Sequence, residues 1–299
     1  MNQPNETIYC LVQLNDHRIV TGSYYKGIKI WNHEMTKCEC HIKYKDPIYS
    51  ILKFIDGRIA ILSCDDDIRI YDVQSGHCGQ IITTNDGMIY HIIQLFDGRI
   101  ATVSRDRKIK IYNLKTGYRQ LTIGERDETI SSISQLYDGR LILLLSHGQV
   151  KIWNIENGEN IIFQERVKDH MIYCVIQLFD HRIAIGSNDG KIRICNLKNG
   201  HCEQTISCDD DKMISCLIQL KDGRIASGSN DGMVRIYNIR SGECEFTLSC
   251  EGQMHYMVQL SNGKIAAIIR NNILRISIPS KPHVIYDQYK TYDVMFTFH

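Results

Sequence analysis

Proline is almost missing from this chain, with four in 299 residues. Each proline removes a backbone donor, so its scarcity leaves nearly the whole backbone free to enter sheet ladders. Long apolar runs are missing as well. The longest aliphatic stretch is Leu-Ile-Leu-Leu-Leu from Leu141, far short of a membrane-spanning helix. Neither sign of charge is in excess: 35 Lys and Arg against 34 Asp and Glu give a net charge of +1. No global field therefore selects nucleic acid or an acidic membrane surface. The first ten residues, MNQPNETIYC, lack the basic-then-apolar layout of a secretion leader. This predicts a cytoplasmic chain, with the nucleus as the alternative, and twelve cysteines kept as thiols.

Catalytic constellations are absent too. No glycine-rich phosphate loop precedes a helix, and no convincing helix is present. No Cys-x-x-Cys pair offers zinc spacing. Cys202 with Cys208, and Cys244 with Cys250, stand six residues apart on single extended segments. Their ends lie about 20 Å apart, which excludes a disulfide within either pair. Cys38, Cys78, Cys202 and Cys244 share one slot per repeat and read as small apolar filler. Asp65 to Asp67 and Asp209 to Asp211 lack the ligand spacing of calcium loops and read as solvated turn acids. The twelve histidines sit near no Ser or Cys in a recognisable motif. The expectation is a protein that is not an enzyme and that holds no metal and no cofactor.

What fills the chain is one repeated unit. DGRIASGSNDGMVRIYN from Asp222 recurs as DHRIAIGSNDGKIRICN from Asp180, DGRIATVSRDRKIKIYN from Asp97 and DHRIVTGSYYKGIKIWN from Asp16. The basic residue of the first turn falls at Arg18, Arg58, Arg99, Arg140, Arg182, Arg224 and Lys264, at intervals of 40, 41, 41, 42, 42 and 40. Each copy holds four short runs rich in Ile, Val, Tyr and Thr, which read as strands. Asp-Gly, Asn-Gly and Ser-Gly pairs separate them and suit positive-φ turns. A single four-stranded sheet cannot bury both faces, whereas stacked copies can. The prediction is an all-β, seven-bladed β-propeller with four antiparallel strands per blade. One domain spans residues 1–299, with blades near 6–46, 47–86, 87–127, 128–169, 170–211, 212–251 and 252–291. Residues 292–299 form a closing or extra strand. The last blade's fourth strand is expected near Val284 to Asp287, and Val294 to Phe298 falls where an eighth first strand would begin.

The pattern resembles the WD-repeat family over essentially the whole chain. The matching residues are the turn acids Asp65, Asp106, Asp189 and Asp231, and the strand-three aromatics Trp31, Tyr71, Tyr112, Trp153 and Tyr237. The Asn or Asp after each aromatic matches as well. The departures are specific. The family's Gly-His before the first strand is absent. The strand-two hydroxyl survives only at Thr21, Thr102 and Ser227, and the turn acid is replaced by Tyr25, His147 and Asn271. Blades held mainly by aliphatic packing are therefore expected.

Two belts of cations recur, the turn arginines above and Lys29, Arg69, Lys110, Lys151, Arg193, Arg235 and Arg275 in strand three. A nucleic-acid surface would gather such cations on one side. Spread through every copy and balanced by acids, they read as long stems pairing with neighbouring aspartates.

The resemblance implies docking at the top of the first strands. The residues there are Tyr9, Tyr49, Tyr90, Ser131, Tyr173, Ser215 and His255. They would ring one opening beside acidic loops at Asp46, Asp86, Asp127, Asp169 and Asp209 to Asp211. Tyrosine supplies rigid contact area and a hydroxyl, as hot spots require; strand propensity alone also favours it. The implied function is a non-enzymatic scaffold binding a protein or peptide, with no direct nucleic acid and no membrane, as a monomeric propeller within a complex. The alternatives are a substrate-recognition subunit of ubiquitin-ligase or chromatin type, or an enzyme using the channel.

Overall fold

The computed structural model describes residues 8–124, 129–146, 148–164, 171–208, 212–250, 252–269 and 272–278. Every regular element in them is a strand. The chain divides into two compact units after Gln135.

The first unit holds sheet one, β1 (Ile8–Gln13), β2 (Ile19–Ser23), β3 (Gly27–Trp31) and β4 (Cys38–Ile42). Sheet two is β5 (Ile48–Lys53), β6 (Ile59–Ser63), β7 (Asp67–Tyr71) and β8 (Cys78–Thr83). Sheet three is β9 (Ile89–Gln94), β10 (Ile100–Ser104), β11 (Ile109–Tyr112) and β12 (Arg119–Ile123). Sheet four orders β13 (Ile130–Gln135), β14 (Leu141–Leu145), β15 (Val150–Trp153) and β16 (Asn160–Gln164), and the unit boundary falls after its first strand. The second unit continues with sheet five, β17 (Ile172–Gln177), β18 (Ile183–Ser187), β19 (Lys191–Cys195) and β20 (Cys202–Ser207). Sheet six is β21 (Ile214–Gln219), β22 (Ile225–Ser229), β23 (Met233–Tyr237) and β24 (Cys244–Ser249). Sheet seven is β25 (Met254–Gln259), β26 (Ile265–Ile269) and β27 (Asn272–Ile276).

Seven four-stranded blades were expected; among the described residues the structure shows six four-stranded sheets and a seventh of three strands. The last copy departs in its sequence. In sheet six Gly228 pairs with Val234 around an Asn-Asp-Gly turn, but in sheet seven Ile269 pairs with Asn272, leaving two residues between the strands. Arg275 consequently pairs with Ala266, where sheet six has Ile236 opposite Ala226, so it leaves the cation register. In sequence, the glycine turn that precedes strand four in copies two to six gives way to Pro279-Ser-Lys-Pro282. The segments Val284 to Asp287 and Val294 to Phe298 lie outside the described residues.

Second strands are buried along their full length, as β6, β10, β14, β18, β22 and β26 show. Fourth strands alternate between half-buried and exposed. Neighbouring sheets share aliphatic cores: Val20, Ile28 and Ile30 pack with Ile48, Ile51 and Ile59, and Ile192 and Ile194 pack with Ile214, Leu217 and Ile225.

The turn between strands one and two repeats in detail. The Phe54 amide donates to Arg58 O (2.8 Å) and the Gly57 amide to Phe54 O (3.0 Å). Only the third loop residue takes positive φ (Gly57 at 88°), so the loop is a three-residue hairpin rather than a two-residue one. His17 and His181 accept that conformation at 70° and 65° in the two Asp-His-Arg copies. The arginine then folds back, with Nε of Arg58 2.9 Å from Asp56 Oδ2; Arg18, Arg99, Arg140, Arg182 and Arg224 repeat the contact.

A second periodic device joins sheet to sheet. The glutamine ending a first strand accepts the backbone N–H just past the preceding sheet's first strand. The pairs are Ile55 to Gln94 (2.9 Å), Phe96 to Gln135 (2.8 Å), Tyr137 to Gln177 (2.7 Å), Phe179 to Gln219 (2.7 Å) and Lys221 to Gln259 (2.8 Å). Sheet two has Lys53 in this slot, and there Asn15 Nδ2 donates to Ile55 O instead (3.3 Å). The recurring Gln was visible in the sequence; its amide role needs the three-dimensional offset of one sheet against the next.

Candidate functional site

Six of the seven residues expected to ring an opening share a backbone feature. Ile8 pairs with Ser23 and Cys10 with Gly22, so Tyr9 has no partner and is the extra residue of a β-bulge. Tyr49, Tyr90, Tyr173, Ser215 and His255 occupy the same bulge in β5, β9, β17, β21 and β25. A bulge turns one side chain out of strand alternation and often re-aims it at a site.

In the first unit the bulge builds a cluster. Tyr9 and Tyr49 approach to 6.0 Å between ring centroids, tilted by 59°. Tyr24 stands 5.9 Å from Tyr9, and Tyr25 packs edge-on against Tyr24 at 4.3 Å. Tyr9 is 41% exposed and Tyr25 74%. Burial, then the nearby Cys64, Tyr24 and Tyr9, raise the Tyr49 hydroxyl above its ordinary value of 10.0, so all its contacts are made as a neutral phenol. Tyr90 and Ser131 are half-buried on β9 and β13.

Tyr24 and Tyr25 were not anticipated as site residues. Tyr25 was visible only as a departure, a tyrosine where the turn acid belongs. That departure was the usable signal: a turn that gives up its structural carboxylate gains a second aromatic beside Tyr9.

The second unit treats the slot differently. Tyr173 is half-buried and His255 exposed. Ser215 is 5% exposed, and its hydroxyl lies 3.0 Å from Gly228 O and 2.6 Å from Met254 O. It links sheet six to sheet seven and presents nothing to solvent.

The acidic loops fare unevenly. Asp86 is consumed internally: Lys110 Nζ lies 2.8 Å from Oδ1, Arg119 Nη1 lies 3.2 Å from it, and the Tyr112 hydroxyl donates to Oδ2. Asp46 faces Lys45 at 3.8 Å. Asp127, Asp169 and Asp209 to Asp211 lie outside the described residues.

The turn acids organise a polar network that aliphatic packing alone did not predict. The serine ending strand two donates to the acid two residues on, and the strand-three cation four residues further closes the set. Ser187, Asp189 and Arg193 form it in sheet five, with Arg193 Nη1 3.1 Å from Oδ1 and Nη2 2.5 Å from Oδ2. Ser229, Asp231 and Arg235 repeat it, as do Ser104, Asp106 and Lys110, and Ser63, Asp65 and Arg69. In sheet two the Tyr44 hydroxyl joins, donating to Asp65 (3.2 Å) and accepting from Arg69 (2.5 Å). Burial pushes its pKa up to about 12.

The strand-three aromatics fill the adjoining slot. Trp31 Nε1 donates to Thr21 Oγ1 (2.9 Å) under Lys29. Tyr71 is buried, and the Tyr237 hydroxyl donates to Cys208 Sγ. Trp153 has Leu143 where Trp31 has Thr21, and its buried Nε1 has no acceptor among the described residues.

These carboxylates carry a pH dependence. Burial works to raise the pKa of Asp65, Asp106 and Asp231, but hydrogen bonds from the serines and cations, joined by the Met233 amide at Asp231, outweigh it and hold each below 3.8. Asp16, Asp56, Asp97, Asp138 and Asp180 are lowered by their turn arginines in the same way. A depressed folded pKa contributes stability that is complete above the unfolded value and lost as pH falls through the folded one. Urea midpoints are expected to hold level down to about pH 5 and fall steeply between about pH 4 and pH 2. A level midpoint through that window would disprove the assignment.

Comparison with known proteins places this geometry. The family model described as "WD domain, G-beta repeat" matches residues 200–238. No curated protein sequence matches. Among solved structures, the WD40 β-propeller domain of Doa1 superposes with a TM-score of 0.74 at 15% identity, over 92% of this chain and 94% of that one. At that identity the likeness is one of fold.

Proposed function

We propose that this chain, which carries a WD-domain match at residues 200–238 and shares the fold of a WD40 β-propeller domain, is a non-enzymatic interaction scaffold that grips a peptide or partner domain through Tyr9, Tyr24, Tyr25 and Tyr49. Propellers of this family serve generally as protein-interaction modules, and the fold by itself names no partner. The observation that carries the reading is the tilted aromatic cluster, with one ring 74% exposed and another 41%. Exposed grouped tyrosines are rigid, lose little entropy on binding and dominate interface energetics. The turn and strand-three arginines are engaged by carboxylates within their own sheets, which argues against a phosphate-binding face. The chain is taken to act in the cytoplasm or nucleus as one propeller within a larger complex.

The test is quantitative affinity purification with wild type against a Tyr9→Ala, Tyr25→Ala, Tyr49→Ala variant of unchanged circular dichroism. Proteins retained by wild type should be lost by the variant. For a purified partner, each substitution should weaken binding by about 30-fold, the lower bound of a hot spot. Equal capture by both proteins would remove the cluster from the binding surface.

A further inference from the structure

In sheet five the strand-three aromatic is replaced by Cys195, and its cross-strand partner is Cys202. The sister pairs are Trp31 with Cys38, Tyr71 with Cys78 and Tyr237 with Cys244. Sheets three and four pair Tyr112 with Arg119 and Trp153 with Asn160. Thus among the described pairs at this position, sheet five alone sets thiol against thiol. The turn between them is tight: the Asn196 amide donates to His201 O (2.9 Å) and the Gly200 amide to Asn196 O (3.0 Å). The pair stands where the ladder shifts register, Ile194 facing Gln204 and Cys195 facing Cys202, and the two thiols hydrogen-bond each other across the strands; paired residues of an antiparallel ladder have Cα atoms about 4.5–5.5 Å apart, inside the window a disulfide needs.

We propose that Cys195 and Cys202 are a modification site, a thiol pair that a hydroperoxide converts into a cross-strand disulfide between β19 and β20. The two thiols differ in the way such a reaction uses. Cys202 is partly exposed at the start of the outer strand, and besides Cys195 its thiol touches Gln204 O at 3.4 Å and Thr205 Oγ1 at 3.6 Å. Cys195 is fully buried, and burial, followed by the nearby Cys202, pushes its thiol up to about 12. Cys202 is therefore the residue that meets oxidant and Cys195 the one that resolves it. The Cys202 thiolate attacks the peroxide; an S–O bond forms, the O–O bond breaks and the alcohol, or water from hydrogen peroxide, leaves. The Cys195 sulfur then attacks the sulfenic sulfur; the S–S bond forms, the S–O bond breaks and water leaves with the Cys195 proton. Two thiols are oxidised and one peroxide is reduced, with no other reactant.

By its strand-four slot Cys202 is equivalent to Cys38, Cys78 and Cys244; the residue across the ladder sets it apart. Cys38, Cys78 and Cys244 donate to the carbonyl two residues on just as Cys202 does, so the local conformation is shared and only the partner differs.

The full native chain would be treated with hydrogen peroxide, its remaining thiols alkylated in denaturant, and the product digested with trypsin. The expected product joins Ile-Cys-Asn-Leu-Lys (residues 194–198) to residues 199–212 through a bond lighter by two hydrogens. Fragmentation should place the link at Cys202 rather than Cys208, about tenfold above any other cysteine pair. Cys202→Ser, at the partly exposed position, should abolish the linked peptide, and Cys208→Ser should keep it. The proposal is overturned if both thiols remain alkylatable while exposed Cys64 is oxidised. It is also overturned if Cys202 proceeds to sulfinic acid unlinked, or if the link runs to Cys208.

Discussion

Gly186→Ala is expected to destabilise the second unit by about 2–3 kcal/mol, the cost of overpacking a filled core. A Cβ at Gly186 would stand 2.6 Å from Cys174 Sγ and 2.7 Å from Ile214 Cγ2. Cys174 and Ile214 are both fully buried, so neither can swing aside into solvent. The position has a rule that the repeats themselves reveal. Glycine stands opposite cysteine in three sheets, Gly22 with Cys10, Gly186 with Cys174 and Gly228 with Cys216. Where the second strand carries Leu62, Val103 or Ile268, the first strand carries Ser50, His91 or Tyr256. The cysteine sulfur fills the space that glycine leaves, against the next sheet. Equilibrium urea unfolding of Gly186→Ala, Cys174→Ala and the double variant measures this coupling. The double variant should lose clearly less than the sum, because removing the sulfur opens part of the room the new methyl needs. Strict additivity, or a Gly186→Ala variant as stable as wild type, would show that the two sheets are not packed through this slot. Because Cys174 directly follows the bulge residue Tyr173, the substitution also tests how firmly the core sets the bulge.

The repeat, its four strands and its turn glycines were legible because each is a local statement: alternation, β-branching and a residue that accepts positive φ. The pairing of the turn arginines with their own aspartates was legible for the same reason, being a contact across two residues. What escaped was set between strands or between sheets. The bulge at Tyr9, Tyr49 and Tyr173 has no residue signature, since tyrosine, serine and histidine all occupy it. Gln94, Gln135, Gln177, Gln219 and Gln259 recur in plain view, but their acceptors face the neighbouring sheet. Ser215 looked equivalent to the tyrosines by alignment, yet a short hydroxyl at a bulge is drawn inward to two backbone carbonyls where a long phenol is turned outward. The cation register lost at Arg275 depends on Ile269 pairing with Asn272, a register that the residues alone do not state. The strand-three cations were legible as partners of neighbouring aspartates, and the ion pairs agree; the serine that completes each set was not, because the family pattern of His, Ser, Asp and Trp places its hydroxyl elsewhere on strand two. The chain instead uses a serine, an acid two residues later and a cation four residues beyond that.

That substitution leads to the second large effect. Asp189→Ala is expected to cost about 3 kcal/mol, the low end for breaking a buried pair by removing one partner. Asp189 and Arg193 are only 7% and 13% exposed in their side chains, and the guanidinium meets the carboxylate through two parallel contacts. Ser187 and the Lys191 amide also donate to the same carboxylate. Truncation therefore strips the acceptor from Arg193 Nη2 and the Lys191 amide in a place water reaches poorly, while the Ser187 hydroxyl keeps Lys191 O (3.3 Å) and still accepts from Arg193 Nη1 (2.7 Å); each orphaned donor costs separately. A surface pair would behave otherwise, with a loss of about 0–1 kcal/mol that salt erases. The decisive comparison is Asp189→Ala against Asp189→Asn and Asp189→Ala with Arg193→Met, by urea unfolding in low and high salt. Asparagine keeps an acceptor for Ser187 and Lys191 but not the charge, so it should recover part of the loss. The double variant should be more stable than Asp189→Ala, since removing the stranded cation removes the largest penalty. A single-variant loss that vanishes in salt would make the contact a solvated ion pair. A double variant no better than Asp189→Ala would place the stabilisation in the serine and amide bonds, and the recurring cation would then be packing rather than charge. The same logic separates sheet five from sheet one, where Tyr25 has displaced the acid and Ser23 bonds Gly27 O instead. There the blade has given up its carboxylate, and the exposed tyrosine beside Tyr24 is what the turn presents to solvent in its place.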